Sequence, residues 1–161
     1  MKVSYAIALG ALTVLAAVWG AYFIGPSLQT PRWSVVLLVD DPAAAPSARI
    51  QADLARSGYI TAQTDRDPIA WLDLRAADGQ PFFLVVEIPI ASDAIQAHIE
   101  RTGLARRTVF AAHTMGRLAL DRPGARPQAP IASDAADVVP TLLRLIGLTP
   151  SLPLPGRALA G

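Results

Sequence analysis

The chain has 161 residues, with 14 Lys and Arg against 13 Asp and Glu, 52% hydrophobic residues and no cysteine. That length holds one domain, and the missing cysteine excludes disulfides, thiolate metal sites and cysteine nucleophiles. From residue 27 onward thirteen Arg balance thirteen acidic residues, and without a basic run the composition speaks against nucleic acid as a partner.

Residues 3–24 are an almost unbroken apolar run, with no charge and only Ser4 and Thr13 clearly polar. At ~1.5 Å per residue such a run crosses the ~30 Å hydrocarbon core of a bilayer. Trp19, Tyr22 and Phe23 stand at its far end, where aromatic rings favour the membrane–water boundary. The run is longer than the ~7–15 residue core of a signal peptide, and no A-x-A cleavage site follows. An uncleaved single-pass anchor is therefore expected rather than a cleaved leader. With Lys2 and the amino terminus on the cytoplasmic side, the remainder lies in the periplasm or outside the cell. The organisation expected is an anchor over residues 1–25, a linker over 26–32 and one domain over 33–161.

In the domain, residues 34–39 form a continuous β-branched and leucine run that fits a strand buried on both faces. Residues 47–56 read as a helix with Ile50 and Leu54 inward, stopped near Gly58, and residues 59–63 as a second strand. Residues 68–76 are a second helix carrying Ile69, Leu72 and Leu74, closed by an Asp78-Gly79 turn. Residues 82–88 are a strong strand, and Ser92 or Asp93 caps a helix running to Arg101, with Gly103 as its stop. Residues 108–112 and 117–120 give a fourth and a fifth strand. A Pro- and Arg-rich loop over 122–130 leads to the last helix. In residues 131–148, Asp134 or Asp137 serves the first turn, Pro140 falls early, Leu142, Leu143, Leu145 and Ile146 supply the buried stripe, and Gly147 ends the helix. Strands alternating with helices of about ten residues predict an α/β fold, a mainly parallel sheet with flanking helices.

Asp40 and Asp41 end the first strand, where α/β folds place ligands. Adjacent carboxylates hold a divalent cation if further donors converge. The simpler alternative is that one caps the next helix and the other is solvated. His113 follows a strand end and is a weaker third donor. His98, between Ile95 and Ile99, reads as packing, and Ser47 as a helix cap before a nucleophile.

Taken in order, five segments resemble the sulfatase branch of the alkaline phosphatase superfamily. WSVVLLVDD (33–41) resembles its first strand with paired metal-binding aspartates, and LARSGYIT (54–61) its L-x-x-x-G-Y-x-T. PFFLVVEIP (81–89) resembles its P-F-F-L strand, and GLARRTVFAAHTMG (103–116) its G-L-x-x-x-T-x-V-x-F-x-S-D-H-G segment. The helix over 131–148 and the Gly156-Arg157-x-Leu159 tail resemble its closing D-x-x-P-T-L-L-x-x-x-G and G-R-x-L. The resemblance implies a divalent ion, typically calcium, and a formylglycine made from Cys or Ser in C-x-P-x-R. Here Ala45 stands four before Arg49, Asp65-Arg66-Asp67-Pro68 replaces G-K-x-H, Ile90 falls where a His is expected, and Ala111-Ala112-His113-Thr114 lacks the metal-binding Asp. Framework residues persist while the site's polar residues are replaced, and without a nucleophile the family's covalent route is closed.

The function expected is therefore that of a membrane-anchored, catalytically inactive sulfatase-like domain, an accessory or structural subunit of an integral membrane protein complex. It has no catalytic residue, no small-molecule substrate and no cofactor beyond a vestigial cation such as calcium at Asp40 and Asp41. The alternative is a metal-dependent sulfate- or phosphate-ester hydrolase using Asp40, Asp41 and His113 with water as nucleophile.

Overall fold

A computed structural model describes residues 32–64, 67–88 and 92–159. The anchor, most of the linker, and Asp65, Arg66, Pro89 and Ile90 of the sulfatase comparison lie outside them. Among the described residues no helix is long and apolar enough to cross a membrane.

Residues 32–159 build a six-stranded sheet in the order β2-β3-β1-β4-β5-β6. The strands are β1 (Ser34–Val39), β2 (Ile60–Thr64), β3 (Phe82–Glu87), β4 (Thr108–Thr114), β5 (Arg117–Asp121) and β6 (Ile131–Ala132); the helices are α1 (Ala48–Arg56), α2 (Pro68–Asp78), α3 (Ser92–Arg101) and α4 (Ala135–Leu145). β1 runs parallel to β3 on one side and to β4 on the other, and β2 is parallel to β3. β5 and β6 are antiparallel additions beyond β4.

The alternation of side chains along β1 explains why every residue of that strand is buried. Val35, Leu37 and Val39 join Phe83, Val85, Val109 and Ala111 on one face, under Ile50 and Leu54 of α1 and Val138 and Leu142 of α4. Val36 and Leu38 join Phe82, Leu84 and Val86 on the other, under Leu72 of α2 and Ile95 and Ile99 of α3. Two cores on opposite faces of one sheet make a three-layer α/β/α domain.

The stops of α1 and α4 follow one rule. At the end of α1 the Gly58 N–H donates to Ala55 O (2.9 Å) and the Tyr59 N–H to Leu54 O (3.0 Å). At the end of α4 Gly147 and Leu148 repeat this on Arg144 and Leu143, at 3.2 and 2.8 Å. Both are Schellman caps, in which a left-handed residue lets the chain turn back and satisfy two orphan carbonyls. The apolar residue after each glycine joins the core near the leucine that accepts its N–H.

Three expectations change, and the fifth strand gains a direction. Leu74 is 62% exposed, because two helical residues separated by ~200° of turn cannot both face the sheet and Leu72 does. β5 is antiparallel: Met115 (φ 51) and Gly116 (φ 71) form a two-residue turn of the kind that folds a strand back on its neighbour. Ile131–Ala132, at the start of the segment assigned to the last helix, pairs with β5. Finally, α4 starts at Ala135, so Pro140 sits inside the helix rather than in its first turn.

Candidate functional site at the carboxyl ends of the strands

Asp40 leaves the end of β1, where its own N–H still bonds the carbonyl of His113 across the ladder at 3.3 Å. Its Oδ2 accepts the Met115 N–H at 2.8 Å, and its Oδ1 stands 3.9 Å from His113 Nδ1. Asp41 turns away. Its Oδ1 accepts the Ala43 N–H at 2.8 Å and caps the single 3-10 turn Pro42–Ala44. His113 is 3% exposed, with Nε2 at 3.4 Å from the Ser133 carbonyl and Nδ1 enclosed without a hydrogen-bond partner. The buried Ser133 hydroxyl also lacks one.

The structure therefore brings Asp40 and His113 face to face and sends Asp41 to a backbone cap. A calcium ion takes six to eight oxygen ligands. The donors placed here fall well short of that, and among the described residues no group of three or more His, Asp or Glu side chains is arranged to hold a metal ion. The donor set does not fit the ion that the family resemblance implies.

Ala45 follows the 3-10 turn and lines a hollow of about 140 Å³ between that turn, α1, α4 and the C-terminal tail. The rest of the lining is alanine, proline and aliphatic side chains, with Ser47 as its one polar member. Ser47 stands at the N-cap position of α1, yet its side chain makes no capping hydrogen bond. His98 is buried between helices: its Nε2 is 3.0 Å from Asp73 Oδ1 of α2, and its Nδ1 is 3.2 Å from Arg101. That is a packing role, as its position between two isoleucines suggests.

The densest polar network at this end is one that reading the sequence in separate helices and loops does not foresee. Pro140 has no N–H, so the carbonyl of Ala136, four residues earlier, loses its helical donor. Gly156 packs on that carbonyl, so closely that a Cβ there would overlap the Ala136 oxygen. On either side the tail is held by hydrogen bonds, from Arg157 N–H to Asp137 Oδ1 (2.9 Å) and from Leu159 N–H to Thr141 Oγ1 (3.0 Å). Thr141 Oγ1 in turn donates to the Asp137 carbonyl at 2.7 Å, and Asp137 Oδ2 accepts the Asp134 N–H at 3.4 Å. Further along, Ser151 places its N–H (3.0 Å) and its hydroxyl (2.8 Å) on Asp53 Oδ2 of α1. The backbone hydrogen bond from Ser151, followed by the one from its hydroxyl, holds the Asp53 carboxyl below the usual carboxylate range. The paired D-x-x-P-T and G-R-x-L motifs are thus two halves of one clamp that closes the C-terminal tail over α4.

No protein-family model, no curated protein and no solved structure matches the chain.

Proposed function

We propose that the protein is a membrane-anchored, sulfatase-like domain without hydrolytic activity, serving as an accessory or structural subunit of an integral membrane protein complex. The observation that carries this reading is the hollow beside Ala45. It stands where the resemblance expects a nucleophile, and its walls are alanine, proline and aliphatic side chains apart from Ser47, whose hydroxyl has no base among the residues that line the hollow. Ester hydrolysis needs an activated nucleophile and charge stabilisation at the leaving oxygen. Asp41 is engaged in capping a backbone turn, and Asp40 holds the Met115 N–H of the β4–β5 turn. Both support a structural use of residues that bind metal in the family resembled.

A binding role is supported by the sheet's edge. β2 has β3 on one side and no strand on the other among the described residues. A free edge is a template for pairing with another chain unless something covers it. The apolar run at residues 3–24 supplies the membrane attachment in this reading.

The catalytic half of the proposal is tested with full-length protein in detergent, offered aryl sulfate and aryl phosphate esters with and without calcium or zinc. The expected result is turnover no faster than buffer. Metal-dependent turnover that Asp40→Ala abolishes would overturn the reading in favour of a hydrolase using Asp40 and His113 with water.

A further inference from the structure

We infer that the end of the domain at which the parallel strands begin docks on the headgroups of an anionic lipid bilayer. The inference deepens the proposed function and rests on its membrane attachment. The domain's charges balance along the sequence, and the fold separates them. Each helix runs back against the strands, and its last turn carries one arginine at this end: Arg56, Arg75, Arg101 and Arg144. Four more, Arg32, Arg106, Arg107 and Arg122, lie in the segments that precede β1 or β4 or follow β5. Against these eight arginines stand four carboxylates, and Asp53 and Asp78 are already paired with Arg56 and Arg75. At the opposite end, where the strands finish, seven carboxylates stand against three arginines among the described residues. A neutral domain is thus basic at one end and acidic at the other.

Complementing the helix dipole accounts for one arginine at the end of each helix. It also accounts for Arg32, which donates to the Ser57 carbonyl at the end of α1, and for Arg107, which donates to the Gly79 and Arg75 carbonyls at the end of α2. It does not account for Arg106 or Arg122. The place where the chain enters the domain supplies the occupant. Arg32 and half-buried Trp33 lead into β1 at this same end, with Tyr59 donating from its hydroxyl to the Trp33 carbonyl at 3.0 Å. Only residues 25–31 separate the apolar run from Arg32. Seven residues fully extended reach about 25 Å. An anchor in the bilayer therefore tethers the domain by its arginine end. An aromatic residue beside arginine suits that boundary. Arg101, Arg106 and Arg144 are exposed, and each arginine at an anionic surface strengthens binding about fivefold.

The absence of cysteine makes the test clean, since one introduced cysteine is the sole labelling site. Full-length protein carrying a fluorophore at Gln80→Cys, on the arginine end, or at Ala43→Cys, on the acidic end, is placed in nanodiscs of phosphatidylcholine with or without phosphatidylglycerol, with a quencher on the headgroups. The Gln80 label should be quenched more strongly in the anionic discs and recover in about 1 M salt, where charges are screened beyond ~3 Å. The Ala43 label should not respond to lipid charge. Replacing Arg101, Arg106 and Arg144 together by Gln should weaken docking on the order of a hundredfold and remove the difference between the lipids. Equal quenching in the two lipids, survival of the difference in the triple variant, or quenching of the Ala43 label instead would each overturn the inference. Release of the protein from neutral discs refutes the anchor and is a separate outcome. The surface is then judged by binding of the full chain to phosphatidylglycerol vesicles, and no binding overturns it.

Discussion

At Gly156 the backbone has φ +83, and the space a Cβ needs is filled by the Ala136 carbonyl. Gly156→Ala should therefore cost about 3 kcal/mol in chemical denaturation, the left-handed penalty plus the overlap. Gly103→Ala is the control: it has a similar φ of +75 with open space around it, and should cost about 1 kcal/mol. Equal costs at the two positions would show that the close approach to α4 contributes nothing. Asp53 and Tyr59 give the domain a pH signature at each extreme. Hydrogen bonds from Ser151 lower the Asp53 pKa, so its contribution is present above the ordinary carboxylate value of ~3.9 and is lost as pH falls through the folded value. The Ser151 amide resonance should follow that titration and become flat in Asp53→Asn. Burial raises the Tyr59 pKa, so the stability linked to its neutral form is complete below about pH 10 and is lost as pH rises through the folded value. Tyr59→Phe should remove that alkaline loss. At neutral pH it should cost about 1 kcal/mol for the bond to the Trp33 carbonyl.

At the scale of elements, the β4–β5 hairpin holds a non-glycine residue, Met115, at φ 51 with its side chain 93% exposed. Met115→Asn supplies the residue such turns prefer ahead of glycine and should stabilise the domain by roughly 0.5–1 kcal/mol. Destabilisation would mean that the methionine side chain is used by the fold. The same turn shows why the sequence predicts β5 as a strand without giving its direction. Met-Gly carries none of the Asn-Gly signal that marks a hairpin, so alternation of strands and helices was the stronger cue. β1 and β3 were legible because burial on both faces demands unbroken runs of aliphatic and aromatic residues. α1 and α4 were legible because their Schellman caps require glycine followed by an apolar residue. β6 was not, since two paired residues have no period to detect. Leu74 misled because it is apolar on the solvent side of an otherwise well-patterned helix.

At the scale of the whole molecule, one α/β domain of a mostly parallel sheet with helices on both faces is what the sequence led us to expect. The candidate site was only half legible. Asp40, Asp41 and His113 do gather at the carboxyl ends of β1 and β4, because any residue ending adjacent parallel strands must. Their orientations depend on the hydrogen-bond donors of the neighbouring turns, which no local pattern encodes. The tail clamp was invisible for a related reason. Its residues are about twenty positions apart, at 137 and 157, and 141 and 159, and act through a carbonyl that a proline leaves free. Separation of charge between the two ends is likewise a property of the fold and not of the composition. The central claim is that this domain works by binding within a membrane assembly. It is tested most directly by solubilising membranes gently and measuring the mass and composition of the particle that contains the intact 17.0 kDa chain. The account predicts a heteromeric particle with integral membrane partners at defined stoichiometry. A chain that runs alone at its monomer mass would contradict it.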